Sequence, residues 1–133
     1  MMSPQTEDMP QPAGDLALQT IAMPADANAN GDIFGGWLVS QMDLAGGVSA
    51  GRLAKGRVAT VAIDSMAFIR PVAIGSTVSC YTQILNIGRT SIEILVEVWA
   101  QPMSDVEQRK VTEGKFTFVA IDQNRRTRPV PRS

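Results

Sequence analysis

The chain contains no histidine and only one cysteine, Cys80, among its 133 residues. Without histidine, neither a Ser-His-Asp nor a Cys-His catalytic arrangement can form. A lone cysteine cannot make an intrachain disulfide, which fits a reducing compartment, and a zinc site would lack its usual ligands. We therefore expect that any enzymatic chemistry rests on a carboxylate.

Long apolar runs and a strong net charge are also missing. No segment approaches the ~20 apolar residues that span a bilayer, and the acidic, proline-rich start lacks the features of a secretory signal. The formal net charge of -1 gives no reason to expect nucleic-acid binding. We expect a cytoplasmic protein that binds neither nucleic acid nor membrane. The basic end, 125–132, is interpreted as a solvated tail, with phosphate contact as the alternative.

The length suits a single domain. Residues 1–14 predict a disordered lead-in, 15–130 one folded domain, and 131–133 a short tail. Periodicity predicts a strand at 16–24, a loop at 25–32 and a helix at 36–53. Four further strands are predicted at 58–69, 77–85, 90–100 and 110–121. A turn is predicted at 86–88, between the strands 77–85 and 90–100. A five-stranded antiparallel sheet wrapped around one long central helix, of the α+β class, satisfies this order.

The predicted helix is rich in glycine and poor in charge. Each of Gly46, Gly47 and Gly51 lowers helix stability by about 1 kcal/mol relative to alanine, so burial must hold the helix together. Asp43 is its only internal charge before Arg52. An exposed polar position is the ordinary interpretation, but apolar neighbours would desolvate this carboxylate and raise its pKa. Asp43 is therefore the leading candidate for a catalytic base.

Two glycines, Gly35 and Gly36, stand at the start of this helix. A flexible entry turn explains them, but free helix-start amides also attract negative charge and could form an oxyanion hole. Gly36 and Asp43 lie seven positions apart, which is about 10 Å along a helix axis. One carbonyl cannot easily reach both in the same chain. If both act together, the active site lies at a dimer interface.

Several blocks of this sequence resemble the bacterial YciA-type acyl-CoA thioester hydrolases, which have the hot-dog fold. The longest block runs from Asn28 to Trp37 and is followed by Ser40-Gln41-Met42-Asp43. The resemblance covers essentially residues 16–130. Its further blocks are Gly56-Arg57-Val58, Phe68-Ile69-Arg70-Pro71-Val72, Gly88-Arg89-Thr90-Ser91, Glu97-Val98-Trp99 and Phe116-Thr117-Phe118-Val119-Ala120.

The resemblance implies roles for particular residues. It makes Asp43 the general base or nucleophile, and Gly36 the amide that polarises the thioester carbonyl. It places Asn28 opposite Asp43 across the interface, although the residue alone favours a turn. It also implies an assembly of at least a dimer, usually a trimer of dimers, with no cofactor because coenzyme A belongs to the substrate. The activity belongs to fatty acid metabolism.

Binding of coenzyme A requires phosphate contacts. Gly88, Arg89, Thr90 and Ser91 offer a guanidinium, two hydroxyls and turn amides, although an ordinary hairpin explains them equally well. Arg70 is a further candidate, and Gly35 is included with the substrate-binding residues.

Two other functions stay open at this point. A hot-dog protein could sense acyl-CoA without catalysis, but it would not need the set of Asn28, Gly36 and Asp43. A hydratase or dehydratase of related fold would typically need a histidine, which this chain lacks.

Overall fold

The computed structural model describes residues 10–132. Its elements follow the predicted order and are strand β1 (Asp15–Ile21), helix α1 (Gly35–Ala54), β2 (Val58–Phe68), β3 (Thr77–Ile87), β4 (Ser91–Gln101) and β5 (Arg109–Ala120). A short 3-10 turn, Pro24–Asp26, lies within the predicted loop. Most of the predicted lead-in, 1–9, lies outside the described residues. None of the helices described is long and apolar enough to cross a membrane.

The five strands form one antiparallel sheet in the order β1-β3-β4-β5-β2. The expected fold class is therefore confirmed, with β1 and β2 at the two edges. The predicted turn at 86–88 is wrong by two residues. Asn86 pairs with Glu93 and Ile87 with Ile92, so β3 continues through both and the chain turns at Gly88–Thr90. Strand pairing decides this boundary, because turn-forming residues such as Asn are tolerated where a ladder partner is available.

One face of α1 packs on the concave face of the sheet. The contact is made by buried side chains of the helix and by the inward residues of β4 and β5: Leu38, Met42, Ala45, Ala50, Ala54, Ile92, Ile94, Val96, Val98, Phe116 and Phe118. The opposite face is not enclosed. Leu44 is 57% exposed and Val48 39%. The sheet of one chain thus covers one face of the helix and leaves the other exposed, since one sheet covers only one side of a helix.

A close contact fixes the position of α1 on the sheet. A methyl group added at Gly46 would lie 2.9 Å from two ring carbons of Phe118, whose side chain is almost fully buried. The glycine therefore lets an aromatic ring of the sheet approach the helix closely. At Gly51 the same addition would meet only a carbonyl oxygen at 3.5 Å, an ordinary contact.

The basic end of the chain is not a solvated tail. Residues 127–132, here called the C-terminal strap, run back over the end of α1 and the β3–β4 turn. The Arg128 guanidinium donates to the carbonyls of Ala54 and Ile121, both at 2.9 Å. Val130 is 2% exposed and its amide donates to the Arg89 carbonyl at 2.8 Å. The solvated-tail interpretation is therefore wrong for these residues, because unsatisfied helix-end carbonyls attract a guanidinium.

We expect Gly46→Ala to lower the free energy of unfolding relative to Gly51→Ala by about 1–3 kcal/mol, the usual range for overpacking a core. Both changes gain the same helix propensity of about 1 kcal/mol, so their difference isolates the clash with Phe118. Urea unfolding at one protein concentration measures it. Equal stabilities of the two variants would contradict the close contact.

Candidate active site

Asp43 lies halfway along α1 and is half-buried. The hydroxyl of Thr60, near the start of β2, donates a hydrogen bond of 2.6 Å to its Oδ1. This bond fixes the orientation of the carboxylate and leaves Oδ2 for another donor. Thr60 was missed by the sequence analysis, because its contact joins residues seventeen positions apart and no spacing rule signals it.

The start of α1 presents free amides at the surface. Gly35 and Gly36 are both exposed, and their N–H groups have no acceptor one turn earlier because the helix begins there. A methyl group at Gly36 would meet nothing within 4 Å. Beside these amides is a cleft of about 310 Å³, lined by apolar side chains together with Arg70: Ile33, Leu38, Phe68, Ile69 and Pro71. The predicted oxyanion donors are therefore accessible to a ligand.

Asp43 and Gly36 remain apart in a single chain. α1 is continuous from Gly35 to Ala54, so their backbones are separated by about 10 Å along the axis. An aspartate side chain is too short to bridge that distance. The two groups can converge on one carbonyl only when a second subunit brings its own helix start to Asp43.

Asn28 is a turn residue, as its type suggests. Its Oδ1 accepts hydrogen bonds from the amides of Asn30 at 2.9 Å and Asp32 at 3.1 Å. The two ends of the loop that it closes pair with each other at the Ala27–Ile33 bridge, and Asp32 pairs with Ala73. The side chain is exposed, and its Nδ2 is the atom that can still meet a substrate or a second subunit.

The predicted coenzyme A ligands fall into two groups. Gly88, Arg89, Thr90 and Ser91 form the β3–β4 turn, in which the Gly88 amide donates to the Ser91 carbonyl at 2.8 Å. The backbone of Arg70 instead bonds to Val111, near the other end of the sheet, where Thr112 pairs with Val98.

From Ser91 to Val98 along β4 is roughly 20 Å or more. One chain therefore does not bring Arg70 and the turn to the same phosphate.

Two other reactive side chains, Cys80 and Asp64, have surroundings of their own. Cys80 is fully buried, and burial raises the pKa of its thiol to about 12. Asp64 makes only an exposed ion pair with Lys115 at 3.9 Å. Among the described residues no group of three or more acidic, cysteine or histidine side chains could hold a metal ion.

A single helix on a five-stranded antiparallel sheet, with a carboxylate at mid-helix and free amides at its start, is the hot-dog arrangement of thioesterases. A family profile described as the thioesterase superfamily matches residues 30–107. The chain is 50% identical to the acyl-CoA thioester hydrolase YciA of Escherichia coli, over 95% of this chain and 96% of that protein. It belongs to this family of acyl-CoA thioester hydrolases, as its sequence blocks indicated.

Solved structures support the same assignment. A hexameric thioesterase from Yersinia pestis is 49% identical and superposes with a TM-score of 0.89, covering 92% of this chain and 100% of that one. A hexameric hotdog fold thioesterase of Campylobacter jejuni is 40% identical, with a TM-score of 0.83 and coverage of 89% and 91%.

Because only the thiolate is a strong nucleophile, we expect Cys80 in the folded protein to resist a disulfide reagent at pH 8. In denaturant its pKa returns towards the ordinary value of about 8.5, and one thiol per chain should react within minutes. Absorbance of the released thiol measures both rates. Fast labelling of the folded protein would show that Cys80 is accessible.

Proposed function

We propose that this protein hydrolyses the thioester of acyl-CoA to a free carboxylic acid and coenzyme A. The observation that carries the proposal is a half-buried carboxylate, Asp43, held in one orientation by Thr60. Family membership supplies the substrate class. Thioesters are reactive acyl donors, so one base and one oxyanion site are sufficient machinery, and no metal or cofactor is needed.

In the general-base route, Asp43 takes a proton from a water molecule as the water oxygen attacks the thioester carbonyl carbon. The carbonyl oxygen becomes an oxyanion that accepts a hydrogen bond from the Gly36 amide. Collapse of this intermediate breaks the carbon–sulfur bond, and the proton held by Asp43 passes to the departing sulfur. Asn28, through its Nδ2, positions the water or the carbonyl.

A covalent route uses the same residues. The Asp43 carboxylate attacks the carbonyl carbon and expels the coenzyme A thiolate, which gives a mixed anhydride that water then hydrolyses. A single turnover in oxygen-18 water tests the covalent route. Label incorporated into Asp43 demonstrates an anhydride that water opens at the aspartyl carbon, whereas label confined to the product acid is expected both from the general base and from an anhydride opened at the acyl carbon.

The active site is composite, built from two subunits. β2 is a sheet edge, so part of its backbone is available to pair with a second chain. Val61 and Ile63 on this strand are 57% and 42% exposed, and Leu44 and Val48 extend the apolar surface onto α1. Burying this surface in a dimer would bring a partner's helix start towards Asp43. The hexameric relatives support a trimer of such dimers.

The remaining assignments follow from the substrate. The β3–β4 turn, with Arg89 and the hydroxyls of Thr90 and Ser91, contacts phosphates of coenzyme A. Arg70 meets the substrate at the other end of the sheet, beside Gly35. The single cysteine, Cys80, is consistent with a cytoplasmic location, and the acyl-CoA substrate is consistent with a place in fatty acid metabolism.

We expect Asp43→Ala to lower kcat for acyl-CoA at least ~100-fold, since a positioned general base contributes about 10²–10⁴-fold. Coenzyme A binding, measured by calorimetry, should persist. Glu107→Gln, which neutralises an exposed carboxylate, is the control and should retain wild-type turnover. Near wild-type turnover by Asp43→Ala would refute its role, and a wild-type protein that binds acyl-CoA without hydrolysing it would instead be a sensor.

Gly36→Pro should also inactivate the enzyme, because it removes the backbone N–H while proline is tolerated in the first helical turn. Gly36→Ala retains the N–H and adds a methyl group into open space, so it should stay active. If sites are composite, refolding a mixture of Asp43→Asn and Gly36→Pro chains restores activity. With random pairing, about a quarter of the sites are intact, since half the dimers are mixed and each has one good site. If the refolded mixture stays inactive, Asp43 and Gly36 of one site belong to the same chain.

A further inference from the structure

A methionine of β2, Met66, fills a gap that a glycine leaves in the sheet. Gly114 of β5 pairs with the inward Val96 and therefore faces α1, but it has no side chain. A methyl group added at Gly114 would lie 2.8 Å from Cε and 3.0 Å from Sδ of Met66, and 3.4 Å from a ring carbon of Phe116. The end of the Met66 side chain thus occupies the space above Gly114.

An irregularity in β2 directs Met66 towards α1. Asp64 pairs with Lys115, which adjoins the inward Phe116, so both of these charged residues point to the outer face. Residues two apart share a face, and Met66 would follow Asp64 outwards in a regular strand. The register shifts beyond Asp64, where Ser65 has a left-handed backbone with a φ of 53°. This bulge reverses the alternation and turns Met66 inwards.

The inward side chains of β2 connect the two halves of the proposed active site. Thr60, near one end of the strand, bonds to Asp43. Phe68, at the other end, has ring carbons 3.5 and 3.6 Å from the position of a methyl group at Gly35, beside the oxyanion amides. Met66 lies between these two positions and is only partly buried. An acyl chain whose carbonyl is held at either half therefore has this face of β2 as an adjacent apolar surface.

Met66 is free to change its conformation. A methionine side chain is unbranched, with three rotatable bonds. The Thr112 hydroxyl lies 3.8 Å from its Sδ, but that hydroxyl has a better acceptor in the Ala67 carbonyl at 2.6 Å. Movement of the thioether consequently breaks no strong hydrogen bond. The rigid Phe118 ring at Gly46 differs in this respect, because it is almost fully buried.

We propose that Met66, packed over Gly114, determines the length of the acyl chain that the enzyme accepts. A short chain leaves the methionine in place. A long chain displaces the thioether and takes the gap above Gly114, so the glycine supplies space that the methionine releases. The inference rests on the proposed function and adds to it a residue pair that sets substrate specificity.

The test is the ratio of kcat/KM for dodecanoyl-CoA to that for butanoyl-CoA within each variant. Gly114→Ala fills the gap and displaces the thioether, so we expect this ratio to fall about tenfold, the lower end of the effect of one methylene in an apolar pocket. Met66→Ala enlarges the acyl space and should raise the ratio. Gly51→Ala, whose methyl group makes an ordinary contact at 3.5 Å, is the matched control and should keep the wild-type ratio.

The double variant, Gly114→Ala with Met66→Ala, examines whether the glycine acts through the methionine. The added methyl group then has no thioether to displace, and the ratio should return at least to the wild-type value. Such non-additivity is the signature of two side chains that share one space.

The outcomes separate the inference from the proposed function. A wild-type ratio in both single variants overturns the inference while the hydrolase assignment stands. Equal losses with both thioesters also overturn it, since they indicate a general structural effect. A wild-type protein that hydrolyses neither thioester refutes the proposed function, and the inference with it.

Discussion

The contact between Gly46 and Phe118 determines where every functional group of α1 lies. Phe118 belongs to β5, and its backbone pairs with Thr60 of β2. The strand position that meets the helix at Gly46 is thus the one beside Thr60. Gly46 itself is three residues from Asp43 in sequence. The hydrogen bond between Thr60 and Asp43 depends on this position of α1 on the sheet. A helix shifted by one turn would move Asp43 by about 5.4 Å and break it.

The same continuous helix keeps Gly36 and Asp43 of one chain apart. A continuous helix holds Gly36 and Asp43 at a fixed separation, and no loop movement can close it. The chain therefore presents two half-sites, an accessible pair of amides and an oriented carboxylate. Exposed apolar side chains of β2 and α1, among them Val61 and Leu44, are close in sequence to Thr60 and Asp43. Under the proposed mechanism, assembly is a condition of the chemistry, because both groups must reach one carbonyl.

The sequence predicted what depends on local pattern. The alternation of Ile92, Ile94, Val96 and Val98 identified β4, and the spacing from Gly36 to Asp43 predicted that one continuous helix keeps these two residues apart. Features formed by distant residues were missed. Thr60 meets Asp43, and the C-terminal strap meets the end of α1, only because the sheet folds them together. The end of β3 was misplaced for a related reason, since its pairing partner decides whether a turn-like residue stays extended.

The two ends of α1 differ in how the charges of the helix dipole are met. At the start, Gly35 and Gly36 leave the amides exposed, so the positive end is available for a developing oxyanion. At the other end, Arg128 binds a carbonyl that would repel an anion. The C-terminal strap thus changes the electrostatics of a helix that carries Asp43 more than two turns away. A basic segment that looks like a solvated tail in the sequence thereby reduces the negative charge at the end of α1.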